Sequence, residues 1–376
     1  MVETARTPAA PSVSEAISFA RGAPALELIP AAELAGCAQA VALRDGSRLF
    51  AYGPGGGYAP LRELVAERHG VDPGRVVLTM GGLLGFVLYS GELHARRPGR
   101  VLVEGPTYDR PLKILARKGV EVTVLPTDDD GLDPDPLEAE LDRMAEQPSF
   151  LYTIPTFQNP SGRTLTEDRR ARVVEIATAR DLAILEDDPY GLVRYEGTAS
   201  QTLHELEGGT RVTYTSSFSK TVAPGLRTGY FVLPADEAQA FEQRAVSTYI
   251  SPPFLTQATI FEFLSRGRFE PNLAIVKEGL RTRRDAMLEA LEAASPPSVS
   301  WNRPEGGYFI WLDLGPEGDA KDVLQRAEAS GVALIPGVDF FPRDSGLGKR
   351  GIRLAFSYEP TDRIAEGVSR LAALLS

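Results

Sequence analysis

Short apolar, β-branched runs alternate with longer stretches of helical periodicity along most of this chain. The runs read as strands at 75–79 (RVVLT), 100–104 (RVLVE), 120–125 (VEVTVL), 149–154 (SFLYTI), 182–186 (LAILE), 211–216 (RVTYTS) and 229–233 (GYFVL). Between most of them lie amphipathic patterns such as TEDRRARVVEIATARD, in which Val173, Val174, Ile176 and Ala177 fall on one side. Such βαβ alternation predicts an α/β fold, a mostly parallel seven-stranded sheet between two layers of helices. The last third changes character. A charged helical stretch at 270–294 leads to VSWNRPEGGYFIWLDL, a helix at DAKDVLQRAEAS, the runs VALIP and GIRLAF, and a closing helix. That order predicts a smaller α+β domain at 266–376, a large domain at 46–265, and an N-terminal segment, 1–45, packing with the smaller one.

A chain of 376 residues is too long for one small core, which agrees with two domains. Its net charge of -11 argues against a nucleic-acid or anionic-membrane surface, since either needs a basic face. Partners are therefore small molecules or a second copy of the chain. Cys37 is the only cysteine, so no internal disulfide forms, which fits a cytoplasmic protein. His69, His94 and His204 are too scattered to suggest a metal site. The opening stretch, MVETARTPAAPSVSE, reads as a loose tail without the apolar core of a signal peptide, and runs such as LLGFVLY are too short to cross a bilayer.

Candidate chemistry gathers at the strand ends. In open parallel sheets, ligands bind just beyond the carboxyl ends of the strands. EGPTY follows the second apolar run, PTFQNPSG the fourth, EDDPYG the fifth and SSFSK the sixth, so four polar or aromatic loops converge on one edge. The last of them sets Lys220 among hydroxyls, whereas Lys113, Lys118, Lys277, Lys321 and Lys349 sit in stretches that read as solvated surface. A lysine in a mostly uncharged site loses proton affinity and becomes a nucleophile toward carbonyls. The matching carbonyl is the aldehyde of pyridoxal 5'-phosphate, whose ring nitrogen needs a buried carboxylate to stay protonated. Asp187 is the candidate, with Asp188 beside it as a competitor. Tyr190 and Asn159 suit the ring oxygen, and Tyr108 the ring face. Ser217, Ser219 and Arg227 are spaced to collect a phosphate, and TMGGLLG opens a helix whose N–H groups at Gly82 and Leu83 suit the same anion. The run GPGGG, at 53–57, reads as a flexible connection.

YTIPTFQNPSG, ILEDDPYG and SSFSKTVAPGLRTGYFVLP resemble the fold type I pyridoxal-phosphate aminotransferases, in particular the branch of 2-aminoadipate and kynurenine aminotransferases and the aminotransferase-like half of MocR-type regulators. The similarity runs from ISFARGAPALELIP to GIRLAFS, nearly the whole chain. It implies a Schiff base on Lys220, which then shuttles the Cα proton in a ping-pong reaction between an L-amino acid and a 2-oxo acid. It also implies that Asp187 pairs with the ring nitrogen, that Tyr190 and Asn159 hold the ring oxygen, and that Arg353 grips the substrate α-carboxylate. Tyr52 matches a tyrosine that crosses to the partner's phosphate, so a homodimer is implied.

Two departures bear on substrate and reaction. GGLL stands where many relatives carry serine and glutamine, and Arg21, before Gly22, stands where a glycine usually lies near the substrate. Arg21 and Gly22 are therefore candidate substrate contacts alongside Arg353 and Asn159. An elimination, replacement or carbon–carbon bond-forming reaction on the same cofactor is the alternative reading. A non-catalytic sensor would need a basic DNA-binding domain ahead of the fold, and only a short tail precedes ISFARG here.

Overall fold

The computed structural model describes residues 16–375, so most of the proposed tail lies outside the described residues. Its first strand, β1 (Ile17–Ser18), stays out of the main sheet. That sheet takes the next eight: β2 (Val76–Thr79), β3 (Val101–Gly105), β4 (Val122–Asp128), β5 (Gly131–Leu132), β6 (Phe150–Thr153), β7 (Ile184–Asp187), β8 (Val212–Ser217) and β9 (Gly229–Val232). Their spatial order is β2-β9-β8-β7-β6-β3-β4-β5. β4, β3, β6, β7 and β8 run parallel, β9 opposes both of its neighbours, and β5 folds back on β4 at the edge. Seven of the eight coincide with the seven apolar runs; the two-residue β5 is too short to leave a periodic signature. β2, β6 and β9 are buried at every position, which explains why they read as continuous apolar runs rather than alternating ones.

The C-terminal third builds a second, antiparallel sheet. It contains β10 (Ser300–Trp301) and β11 (Phe309–Asp313), while β12 (Val332–Ala333) pairs in parallel with β1. β13 (Ile335–Pro336) and β14 (Gly351–Ala355) complete the order β10-β11-β14-β13. The helix Phe269–Ala294 buries Leu273, Val276, Leu280, Met287 and Leu291 at helical spacing and joins the two sheets. The N-terminal segment divides: β1 joins the C-terminal part, whereas the helix Ala31–Asp45 places Val41 in a cluster with Leu49 and Ala258. Among the described residues no helix is long and apolar enough to cross a membrane.

The glycine run is a correction to its reading as a flexible link. A Cβ on Gly53 would fall 2.0 Å from the Phe254 ring, one on Gly55 2.1 Å from Val246 and one on Gly56 2.4 Å from the Arg62 guanidinium. Its main chain is also tied down: Gly53 N–H donates to Ser251 Oγ (3.3 Å), Gly56 N–H to Glu242 Oε1 (2.9 Å) and Tyr58 N–H to Gln257 Oε1 (2.8 Å). Glycine serves close approach here, and the segment is fixed.

Candidate active site

Because β3, β6, β7 and β8 are parallel, their carboxyl ends deliver the four polar loops to one place. The chain leaves β8 at Ser217 and turns through Lys220 before reversing into β9. The turn is pinned from the C-terminal part: Tyr308 OH donates to the Lys220 carbonyl and Asn272 Nδ2 to the Thr221 carbonyl, both at 2.8 Å. Lys220 Nζ donates to the Gly22 carbonyl at 2.6 Å and lies 5.1 Å from the Tyr308 ring centre and 5.7 Å from that of Tyr190. Burial, helped by the charges of Arg353 and Arg227 and opposed by Asp187, brings its pKa down to about 8. A nucleophilic amine needs a shift in that direction.

Two adjacent carboxylates end β7, and their bonding separates them. Asp188 is filled: Oδ1 accepts from Gly191 N–H at 2.7 Å, Oδ2 from Tyr214 OH at 3.1 Å, and its carbonyl from Ser216 Oγ at 2.7 Å. Asp187 accepts one hydrogen bond, from Tyr152 OH to Oδ2 at 2.8 Å, and lines the cavity that holds Lys220. Burial pushes its pKa up to about 7, against the Tyr152 hydrogen bond. A cationic partner at its open side would restore the carboxylate.

The anion corner forms at the start of the helix Gly82–Arg96. Gly81 precedes it with φ +87 and no side-chain cap, so the N–H groups of Gly82 and Leu83, at the helix start, have no acceptor among the described residues. Arg227, itself at φ +45, packs over Gly81: a Cβ there would come 2.4 Å from Nη2. Ser217 and Ser219 line the same cavity, and the hydrogen bond from Arg227 Nη1 goes to the nearby Pro224 carbonyl at 3.2 Å.

On the far wall Arg353, from β14, is buried between the Phe309 and Phe340 rings, 4.5 and 5.1 Å from their centres. Nη1 donates to Asn159 Oδ1 at 3.0 Å and Nη2 to the Ala20 carbonyl at 2.6 Å, while the buried Nε has no partner among the described residues. Burial lowers its pKa to about 10. Tyr108 lines the cavity, and burial raises its pKa to about 12; Tyr190 is buried, its hydroxyl pushed well up by the same cause. The cavity volume is about 410 Å³, within the ~300–1,000 Å³ common for small-molecule sites. Wider hollows of about 860 and 750 Å³ lie elsewhere, and neither brings a lysine to a buried carboxylate.

Two candidates stand outside this space. Tyr52 is 83% exposed and does not line the cavity of its own chain. Arg21 is exposed and stacks 4.4 Å from the Tyr358 ring centre, whereas Gly22 does line the cavity, where a Cβ would fall 2.7 Å from the Phe309 ring. Sequence reasoning missed Tyr152, Gly81, Tyr308, Phe309 and Phe340. Only the pair in GGYFIW, aromatic residues straight after two glycines, left a usable signal.

The sequence profile of the family described as aminotransferase class I and II matches residues 14–367. Aromatic-amino-acid aminotransferase 1 of Thermococcus litoralis is 35% identical over 96% of this chain and 88% of its own length. The alpha-aminoadipate aminotransferase of Thermus thermophilus, solved with N-(5'-phosphopyridoxyl)-L-leucine, superposes with a TM-score of 0.90 at 35% identity, covering 96% of this chain and 92% of that one. The HTH-type transcriptional regulator TauR of Rhodobacter capsulatus is 33% identical over 83% of this chain, but the match spans only 63% of the regulator. Both enzymes are named for amino-group transfer, and neither name supports the elimination or carbon–carbon alternative.

Proposed function

The chain belongs to the class I and II aminotransferases, pyridoxal-phosphate-dependent enzymes, and from that premise we propose how its own residues move an α-amino group between an L-amino acid and a 2-oxo acid. Bound pyridoxal phosphate supplies a reactive carbonyl and a ring that accepts the electrons released at Cα. The residues present fit it. The N–H groups of Gly82 and Leu83, with Ser217, Ser219 and Arg227, would take the phosphate; Asp187 would take the ring nitrogen; Asn159 Nδ2 and Tyr190 would take the ring oxygen; Tyr108 would cover a ring face. Lys220 Nζ, its proton affinity lowered by burial, would be the amine that holds the cofactor's carbonyl carbon, and it is placed to take and return the Cα proton. Arg353, with Asn159, grips the α-carboxylate.

One observation carries this reading: among the described residues, a buried arginine with an unpartnered Nε shares one cavity with a buried amine of lowered proton affinity and a carboxylate held by a single hydrogen bond. The same reading includes a homodimer. Leu43 in the helix Ala31–Asp45, and Phe50 and Tyr52 after it, are 80%, 68% and 83% exposed, an outward apolar surface that a second copy would cover, bringing Tyr52 to the partner's phosphate corner. A single buried cysteine agrees with a reducing cytoplasm. Borohydride reduction of the protein with pyridoxal phosphate, followed by peptide mapping, should find the cofactor on Lys220, and an amino-acid panel should yield 2-oxo acid without ammonia. An unmodified Lys220 peptide refutes the assignment of the amine, and ammonia release refutes amino-group transfer.

A further inference from the structure

We propose that Arg110 is a specificity-determining residue, its guanidinium receiving a second carboxylate carried by the amino or 2-oxo acid. The inference rests on the reading above, in which Arg353 takes the α-carboxylate, Arg227 the phosphate and Lys220 the carbonyl. The same cavity is lined by a fourth cation, Arg110, which that assignment leaves without a role.

Arg110 is available. Its side chain is 58% exposed, and the carboxylate beside it, Asp109 Oδ2, lies 3.7 Å from Nε, beyond hydrogen-bonding distance. Asp109 is held elsewhere, accepting from Lys113 Nζ at 2.6 Å one turn along the helix Asp109–Arg117. The first two turns therefore carry one carboxylate and two cations, and the helix terminus adds to the excess positive charge. Much of the remaining wall is apolar, with Phe86, Pro111, Ile154, Pro189 and Phe309. A distal carboxylate meets a guanidinium whose ion pair with Asp109, at 3.7 Å, is long and leaves its Nη donors for charge-assisted hydrogen bonds. A distal amide of the same shape meets the same group without charge.

The test is steady-state kinetics of the holoenzyme on matched donors: L-glutamate against L-glutamine, and L-2-aminoadipate against L-norleucine. For wild type, Arg110→Gln and Arg110→Lys, the readout is the ratio of kcat/KM, acidic over neutral. The ratio should fall about 10- to 100-fold in Arg110→Gln, chiefly through KM, and less in Arg110→Lys, which keeps the charge but loses the fork. Rising salt should lower the wild-type ratio, because the group is exposed. A ratio that stays within about twofold, or rises, in Arg110→Gln overturns the proposal. Should Arg110→Gln fail to fold, the Arg110→Lys and salt measurements decide it, and an unchanged ratio in both overturns it. A wild-type enzyme that transfers an amino group from none of the four donors refutes the transamination reading instead, so the two failures are distinguishable.

Discussion

Arg170 and Arg353 are buried to similar depth, 1% and 7% exposed, and are bonded in opposite ways. Arg170 is held at all three of its nitrogens. Nε donates to the Leu165 carbonyl, Nη1 to that of Gln201, and Nη2 to the Pro155 carbonyl and Thr156 Oγ1, all within 3.1 Å, with a Glu186 carboxylate 4.0 Å away. Arg353 has two acceptors and an idle Nε, and no carboxylate pairs with it among the described residues. Asp188 and Asp187 repeat the contrast one residue apart. A charge that holds the fold together has its hydrogen bonds filled from within, because burying an unsatisfied polar group destabilises by about 1–3 kcal/mol. A charge that waits for a ligand does not.

The sharpest way to break this comparison is at the adjacent carboxylates. Asp187→Ala should lower kcat about 10²- to 10³-fold while the protein stays folded and keeps some pyridoxal phosphate. Asp188→Ala should instead lower the unfolding free energy by about 1–3 kcal/mol, because Gly191 N–H and Tyr214 OH lose their acceptor. Denaturant titration and turnover, measured on both variants, decide; full turnover in Asp187→Ala removes the distinction.

Next come the arginines. Arg353→Met should reduce kcat/KM for amino acids about 10²-fold with little change in thermal midpoint. Arg170→Met should destabilise the protein by about 3 kcal/mol. The folded fraction should still turn over, with weakened placement of Asn159, since Arg170 braces the Pro155–Thr156 end of that loop.

The smallest effect lies behind Asp188. His69 packs against Tyr214 with ring centres 4.8 Å apart and meets Tyr230 OH at 3.3 Å, and the His204 ring lies 6.4 Å from that of Tyr214. Burial depresses both histidines to about 4. The unfolded chain titrates them near 6.5, so it binds more protons in this range. Their neutral burial therefore stabilises fully above about pH 6.5, and that contribution fades as pH falls toward 4. The thermal midpoint should decline over this window, and His69→Gln should flatten the decline.

Much of the architecture is written in local patterns. Strands buried on both faces must be continuously apolar, so β2, β6 and β9 stand out, whereas β5 at two residues cannot. Lys220, Asp187 and Asn159 come together in one cavity because strand ends are where chemistry-bearing loops gather, and those loops carry unusual residues; Arg353 reaches the same cavity from within β14 of the second sheet. What was illegible depends on packing across long sequence distances. Tyr152 and Phe309 sit in strands and read as core; Phe340 likewise reads as core, yet Arg353 lies between it and Phe309. Glycines at 53–57 read as slack because sequence cannot distinguish freedom of the chain from lack of room for a side chain. Arg21 and Tyr52 drew notice by their place in the pattern, yet neither lines this chain's cavity; an exposed stack and an outward tyrosine are properties of the folded surface.

The carbonyls of Ala20 and Gly22 already accept hydrogen bonds from Arg353 and Lys220, and both belong to the segment that β1 ties to β12. Capturing a ligand is thus an exchange of partners rather than the filling of a vacuum. Its affinity is a difference between two sets of contacts, so a change that loosens residues 20–22 can tighten binding without touching the ligand.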